Sequence, residues 1–169
     1  DEISWGSAYA KHNIGGILRD VELIALPKNY IERINIKTTF DRKFENSTLE
    51  ISASVLSNKS ENTELKIKLK SPDGKDVILK KSIFEFNENK GILKNNINSP
   101  QQWDAEHPNL YMLIADLFVD GKLVETVNTN FGFRTVERKG NELLVNGRPV
   151  KLRGVNRHDV HPLTGRSIT

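Results

Sequence analysis

The sequence predicts an all-β fold, an antiparallel β-sandwich of about seven strands, and three observations carry that prediction. Between Tyr30 and Phe133 short apolar segments alternate with polar residues at a period of two, as half-buried strands do. Turn signals recur about every ten residues over the same span. No stretch sustains a helical period. Together these are the expectation for an immunoglobulin-like or fibronectin-like sandwich.

Taken in order, residues Asp1 to Asn13 show neither period and read as an irregular lead-in. Ile17, Leu18, Val21, Leu23, Ile24 and Leu26 form an apolar run between Gly15-Gly16 and Pro27, which predicts a strand. Ile34, Ile36 and Thr38 alternate with polar neighbours, and Leu49, Ile51, Ala53 and Val55 repeat the pattern. Leu65, Ile67 and Leu69 follow, then Ser71-Pro72-Asp73-Gly74 predicts a hairpin into Val77 to Phe86. Ile92 to Ile97 is a weaker strand, and a long connection from Pro100 to Pro108 carries Trp103. Leu110 to Val119 has apolar side chains for both faces, as a central strand would, and Asp120-Gly121 turns it back through Leu123 to Phe131. Beyond Phe133, Glu142 to Val145 and Pro149 to Arg153 flank Asn146-Gly147-Arg148, a turn type that tolerates positive φ, and the second arm runs on into Gly154-Val155-Asn156.

At 169 residues, with 37% hydrophobic and 28% charged residues, the chain has enough material for one good core but not for a complete large barrel. No apolar run approaches the roughly 20 residues of a membrane-spanning helix, so the reading is a soluble chain with no membrane partner and an unassigned compartment. The net charge of +3 is the small difference between 25 basic and 22 acidic residues, not a basic patch. In Leu65-Lys66-Ile67-Lys68-Leu69-Lys70 the lysines share one strand face, which is a solvated face rather than a nucleic-acid surface. The absence of cysteine excludes a disulfide framework and thiolate chemistry. The start lacks the basic and apolar segments of a secretory signal, which means nothing in an internal fragment.

The densest run of reactive groups is Asn156-Arg157-His158-Asp159-Val160-His161-Pro162, directly after a predicted strand. Polar residues at a strand's carboxyl end are where barrel and α/β proteins place ligand contacts, and a solvated turn is the competing reading. His158, Asp159 and His161 could ligate zinc in principle, but zinc takes three or four protein ligands and His12 and His107 lie in distant segments. No metal site is therefore expected here. No serine sits in a G-x-S-x-G elbow.

Gly132-Phe133-Arg134, the stretch Leu143 to Val150, and Arg153 to His158 followed by His161-Pro162 resemble the junction in glycoside hydrolase family 2, where an immunoglobulin-like domain runs into the first strand of a catalytic (β/α)8 barrel. Arg157 and the His161-Pro162 pair resemble the β-galactosidases of the family more than its β-glucuronidases. Gly16 to Leu23 is similar to the G-I-x-R-D-V strand that closes the family's N-terminal sugar-binding jelly roll, and Trp103 through Pro108-Asn109-Leu110-Tyr111 to its W-x(4)-PNLY segment.

The resemblance implies three parts. Residues 1–27 would end a jelly-roll domain and its linker, 28–134 would form the immunoglobulin-like sandwich, and 135–169 would form a C-terminal β-hairpin leading into a truncated first barrel strand and loop. It implies that His158 hydrogen-bonds a galactose hydroxyl in the intact enzyme, with Asn156 and Arg157 shaping the floor of the subsite. Where the commonest family pattern reads His-Glu-His-His-Pro, this chain has His158-Asp159-Val160-His161-Pro162.

Retaining glycosidases use two carboxylates about 5 to 5.5 Å apart. In the family both are glutamates on later barrel strands, and Glu137, Glu142 and Asp159 offer no second carboxylate at a suitable spacing. No catalytic residue and no cofactor is thus expected in this stretch, which alone would be inactive. The resemblance allows divalent or monovalent metal ions to the whole protein, with ligands mostly downstream. The partners it implies are a β-galactoside and the adjoining jelly-roll and barrel domains, and free strand edges leave self-association open. The competing reading from another class is an autonomous immunoglobulin-like binding or adhesion module, which has no reason to carry Arg153 to Pro162.

Overall fold

The computed structural model describes residues 17, 20–57, 62–87 and 89–156. Its strands, in chain order, are β1 (Tyr30–Phe40), β2 (Asn46–Leu56), β3 (Thr63–Lys70), β4 (Asp76–Val77), β5 (Lys90–Asn98), β6 (Tyr111–Val119), β7 (Lys122–Phe131), β8 (Val136–Lys139), β9 (Glu142–Val145) and β10 (Arg148–Pro149). The fold is all-β, with no helix among the described residues. No helix there is long and apolar enough to cross a membrane.

β1 to β7 make two antiparallel sheets, one ordered β1-β2-β5 and one ordered β4-β3-β6-β7. Alternation fixes which side of each strand is inside. Leu49, Ile51, Ala53 and Val55 of β2 and Leu65, Ile67 and Leu69 of β3 are buried, as are Tyr111, Leu113, Ala115, Leu117 and Val119 of β6. Because a side chain changes face every residue, these positions share one interior and register cannot slip by one without exposing them all. Asp120 and Gly121 both have positive φ, at 50° and 78°, the geometry that matches a two-residue hairpin to strand twist. At the Ser71–Gly74 turn, Gly74 takes φ of 81° while Lys75 and Ser71 hydrogen-bond the Asp73 carboxylate and hold its pKa down at about 2.

The fourth expected strand, Val77 to Phe86, is broken. Asp76 and Val77 pair with Lys70 and Leu69, and pairing with β3 resumes where Ile67 N–H donates to Ser82 O and Phe84 N–H to Leu65 O. Between them the chain turns away to the other sheet. The buried Asn95 side chain of β5 accepts from Lys81 N–H at 2.9 Å and donates to Lys81 O at 2.8 Å, standing in for the missing ladder bonds. Phe84, at 4% exposure, then anchors the segment in the core.

A second difference lies at the ends. Leu26–Lys151 forms one compact unit, and the described residues outside it, 17, 20–25 and 152–156, belong to another. The expected strand from Ile17 to Leu26 is absent from the described part of that run, where Leu23 and Ile24 are exposed. Past Val150, whose N–H still donates to Leu143 O at 2.8 Å, Lys151 to Asn156 likewise carries no strand pairing. A strand is defined by its neighbours, and an apolar run alone supplies none.

The lysines of β3 each meet a carboxylate: Lys66 with Glu64 at 3.0 Å, Lys68 with Asp116 at 2.8 Å, Lys70 with Asp76 at 2.9 Å. Asp116 is 7% exposed, lies opposite Lys66 and diagonal to Lys68 across β3 and β6, and also accepts from Thr126 Oγ1 at 2.7 Å. The Lys68 hydrogen bond, aided by Thr126 against the opposing effect of burial, holds Asp116 below the ordinary carboxylate value of 3.8. A depressed carboxylate stabilises the fold above its unfolded pKa and ceases to do so as pH falls through the folded one. Thermal melts of wild type and Asp116→Asn should therefore differ most above about pH 5 and converge as the pH drops below the ordinary carboxylate range. A gap independent of pH would show that the carboxylate charge contributes nothing.

Candidate functional site

The junction between sandwich and hairpin is built on Gly132-Phe133-Arg134. Phe133 is fully buried, its ring edge-on to Tyr111 with centroids 4.7 Å apart and 5.3 Å from Phe131. Its carbonyl accepts Trp103 N–H at 2.9 Å. A Cβ on Gly132 would lie 2.4 Å from Trp103 Cβ, so only glycine lets the indole pack this closely. The Arg134 guanidinium stands 4.3 Å from the centre of the Trp103 ring, a cation–π contact.

From there two threonines and one asparagine carry the connection. Thr38 Oγ1 of β1 donates to Arg134 O at 2.7 Å and accepts Arg134 N–H at 3.1 Å. Phe40 N–H donates to Thr135 Oγ1 at 3.0 Å. Thr135 N–H donates to Asn146 Oδ1 at 2.9 Å, and Asn146 N–H returns a bond to Thr135 O at 2.9 Å. Asn146 Nδ2 donates to Trp103 O at 3.1 Å. Asn146 is 7% exposed and has φ of +50°, so the residue that forms the β9–β10 turn is also the buried amide that joins Thr135, at the entry to the hairpin, to Trp103 of the sandwich.

Gly147 completes the contact. With φ of +72° it continues the turn, and a Cβ there would meet the Phe44 ring at 2.5 Å. The loop bearing Phe44 is itself held by Gln102, whose Nε2 donates to Phe44 O at 2.6 Å, while Asn109 Nδ2 donates to Gln102 O at 2.9 Å. Three sequence segments thus meet at the hairpin turn.

Of the site residues expected from sequence, Asn156 is exposed and outside any strand. Arg157 and His158 lie outside the described residues, with Asp159, His161 and Pro162. His107 lies 3.2 Å from Asp104 Oδ1 in an exposed turn, and Glu137 and Glu142 are exposed on β8 and β9. Among the described residues no group of three or more His, Cys, Asp or Glu comes together to hold a metal. What the sequence reading missed is the knot of Thr38, Thr135 and Asn146, and the strand β8. Asn146-Gly147 was legible as a turn, but its buried amide has partners eleven and forty-three residues away.

The model of the family described as "Glycosyl hydrolases family 2" matches residues 29–134, and that of "Glycosyl hydrolases family 2, TIM barrel domain" matches residues 136–169. The chain belongs to glycosyl hydrolase family 2. Among curated family members, it is 31% identical to a beta-galactosidase of Kluyveromyces lactis, the match covering 92% of this chain and 17% of that protein. It is also 31% identical to a beta-galactosidase of Priestia megaterium, over 98% of this chain and 17% of that protein. Among solved structures it resembles Bacteroides uniformis beta-glucuronidase 3, with a TM-score of 0.74 and 28% identity over 92% of this chain and 19% of the other. The chain thus spans under a fifth of the length of these relatives.

Two glycines separate conformational strain from steric contact. At Gly74 a Cβ meets nothing within 4 Å, so Gly74→Ala should cost only the left-handed backbone penalty of about 1–2 kcal/mol. Gly147→Ala adds overlap with Phe44 and should cost about 1–3 kcal/mol more. Urea unfolding midpoints of the two variants measure the difference. Equal losses would mean that the Phe44 contact yields freely.

Proposed function

We propose that this chain is part of a retaining glycoside hydrolase that cleaves β-galactosides. In this reading residues 28–134 are a non-catalytic scaffold between a sugar-binding jelly roll, ending at about residue 27, and a catalytic barrel beginning in 135–169. The observation that carries it is the stretch Arg153 to Pro162, which falls inside the match to the family's TIM barrel domain. The named beta-galactosidase relatives support the choice of sugar. His158 would donate or accept a hydrogen bond at a sugar hydroxyl, and Asn156 and Arg157 would line the floor beside it.

The chemistry asks for two carboxylates held across the glycosidic bond, one as acid/base and one as nucleophile. Glu137 and Glu142 are exposed on the short strands β8 and β9, and the family's two glutamates are expected on later barrel strands, so in this reading the 169-residue chain is inactive by itself. Divalent or monovalent metal ions, if the whole protein uses them, take their ligands mainly from later segments. A second reading, a β-glucuronidase, is favoured by the likeness to the Bacteroides uniformis protein.

One experiment separates the readings: the full-length protein and the 169-residue chain are assayed on chromogenic β-galactosides and β-glucuronides. Galactoside hydrolysis by the full-length protein alone is the expected outcome, with His158→Ala lowering kcat/KM on the order of 10-fold or more through the lost hydrogen bond. Preference for the glucuronide selects the second reading. Hydrolysis by the 169-residue chain would refute the scaffold role.

A further inference from the structure

We propose that Asn146 is a modification site: its side-chain amide is lost by spontaneous deamidation, at a rate set by how often the β8–β10 hairpin opens. The proposal is independent of which glycoside the whole protein cleaves.

Asn146 is the only asparagine in the chain that precedes a glycine. Because Gly147 has no side chain to screen its nitrogen, that nitrogen can reach the Asn146 side-chain carbon once the carboxamide is free to turn toward it. The reaction needs only hydroxide and water. Gly147 N–H gives its proton to hydroxide, the nitrogen bonds to Cγ of Asn146, and the Cγ–Nδ2 bond breaks with release of ammonia. Water then opens the five-membered succinimide at either carbonyl, leaving aspartate or, with the main chain rerouted through the side chain, isoaspartate. Asp73 and Asp120 also precede glycines, but an aspartate is a carboxylate anion at neutral pH and a far poorer electrophile than a neutral amide.

The closed hairpin holds this reaction off. Asn146 Oδ1 accepts Thr135 N–H at 2.9 Å and Nδ2 donates to Trp103 O at 3.1 Å, so the carboxamide cannot turn toward Gly147 without breaking both bonds. Asn146 is 7% exposed, and the Phe44 ring lies against Gly147, where a Cβ would come within 2.5 Å of it. The hairpin itself is the weak point. β8, β9 and β10 are four, four and two residues long, pair only with one another among the described residues, and bury only Leu144. Short elements with few buried contacts open locally while the rest of a domain stays folded. Closure after the reaction is opposed. The new oxygen takes the place of Nδ2 and faces Trp103 O, acceptor against acceptor, and a charge replaces a neutral amide at a buried position. Isoaspartate also lengthens the main chain inside the tight turn that pairs Val145 with Arg148. Each event therefore leaves a hairpin that docks less well than the one that reacted.

The 169-residue chain is incubated in mildly alkaline buffer, and peptide mapping by mass spectrometry follows aspartate and isoaspartate at each asparagine. Leu144→Ala, which loosens the hairpin, is compared with Ile51→Val, which weakens the fully buried core of β2, and with the chain unfolded in guanidinium chloride. The expected result is slow reaction at Asn146 in the folded wild type and the fastest in the unfolded chain, with Leu144→Ala on the order of tenfold or more faster than wild type and Ile51→Val unchanged. Hydrogen exchange of the β9 amides should be faster in Asn146→Asp than in wild type, while β6 keeps its protection. Absence of product at Asn146 in the folded chain would overturn the proposal, as would a folded rate equal to the unfolded one. Equal rates in wild type and Leu144→Ala, or equal acceleration by Ile51→Val, would overturn the gating by the hairpin. Wild-type protection of β9 in Asn146→Asp would overturn the loss of docking. If Leu144→Ala unfolds throughout, seen as lost protection of β6, the denaturant dependence of the wild-type rate decides: a rise below the unfolding transition of the sandwich supports hairpin opening, and a rise only through that transition refutes it.

Discussion

Three short strands cannot bury a core of their own, so a meander such as β8–β10 persists only by leaning on something larger. Here the support is polar. Leu144 is the one side chain of the hairpin's strands that reaches burial, at 8% exposure, and it is joined by the amide of Asn146 with its Thr135 and Trp103 partners, by Thr135 Oγ1 with Phe40 N–H, and by Gly147 against Phe44. A buried amide left without partners would be costly, whereas a satisfied one rigidifies what it joins. Because one carboxamide both accepts and donates, it also demands that Thr135 and Trp103 lie at one mutual spacing. Phe133 below it and Arg134 above Trp103 hold that spacing.

The same economy of single polar side chains governs the sandwich edges. Asn95 takes both backbone groups of Lys81 and so draws the fourth strand away from β3. Glu125 on β7 accepts Ile31 N–H at 2.6 Å, next to the register shift between Ile31 and Arg33 in β1. Each device lies beside an interruption of regular pairing at an edge strand, which leaves a less regular ladder for another chain to extend. The two sheets are joined across these edges by side chains as well as by the apolar interior.

Seven strands were legible because their causes are local. Alternation sets the inward face, and Pro72, Gly74 and the Asp120-Gly121 pair set the reversals. The break in the fourth strand had a signal too: Asn95 occupies an inward position between Leu93 and Ile97, where a polar residue must find a buried partner. β8 gave no such sign, since Val136-Glu137-Arg138-Lys139 is wholly exposed and becomes a strand only through pairing with β9. The run from Ile17 to Leu26 differs in the opposite sense, with strand composition but no strand pairing among its described residues. Of the trio Asn156, Arg157 and His158, expected from residue types after an expected strand and from the family resemblance, only Asn156 lies among the described residues.

The motif that identifies the family and the residues that touch a sugar answer to different constraints. Gly132 is required because Trp103 leaves no room for a side chain, and Gly147 because Phe44 does the same. Asn146 is required by a turn with positive φ and by two distant partners. None of these demands refers to a substrate, so enzymes acting on different sugars can share them, and this chain accordingly resembles both beta-galactosidases and a beta-glucuronidase. Discrimination between a galactose hydroxyl and a glucuronate carboxylate calls instead for side chains that contact the sugar, where a charge or a donor is matched or left unpaired. The junction can therefore remain fixed by packing whatever side chains contact the sugar.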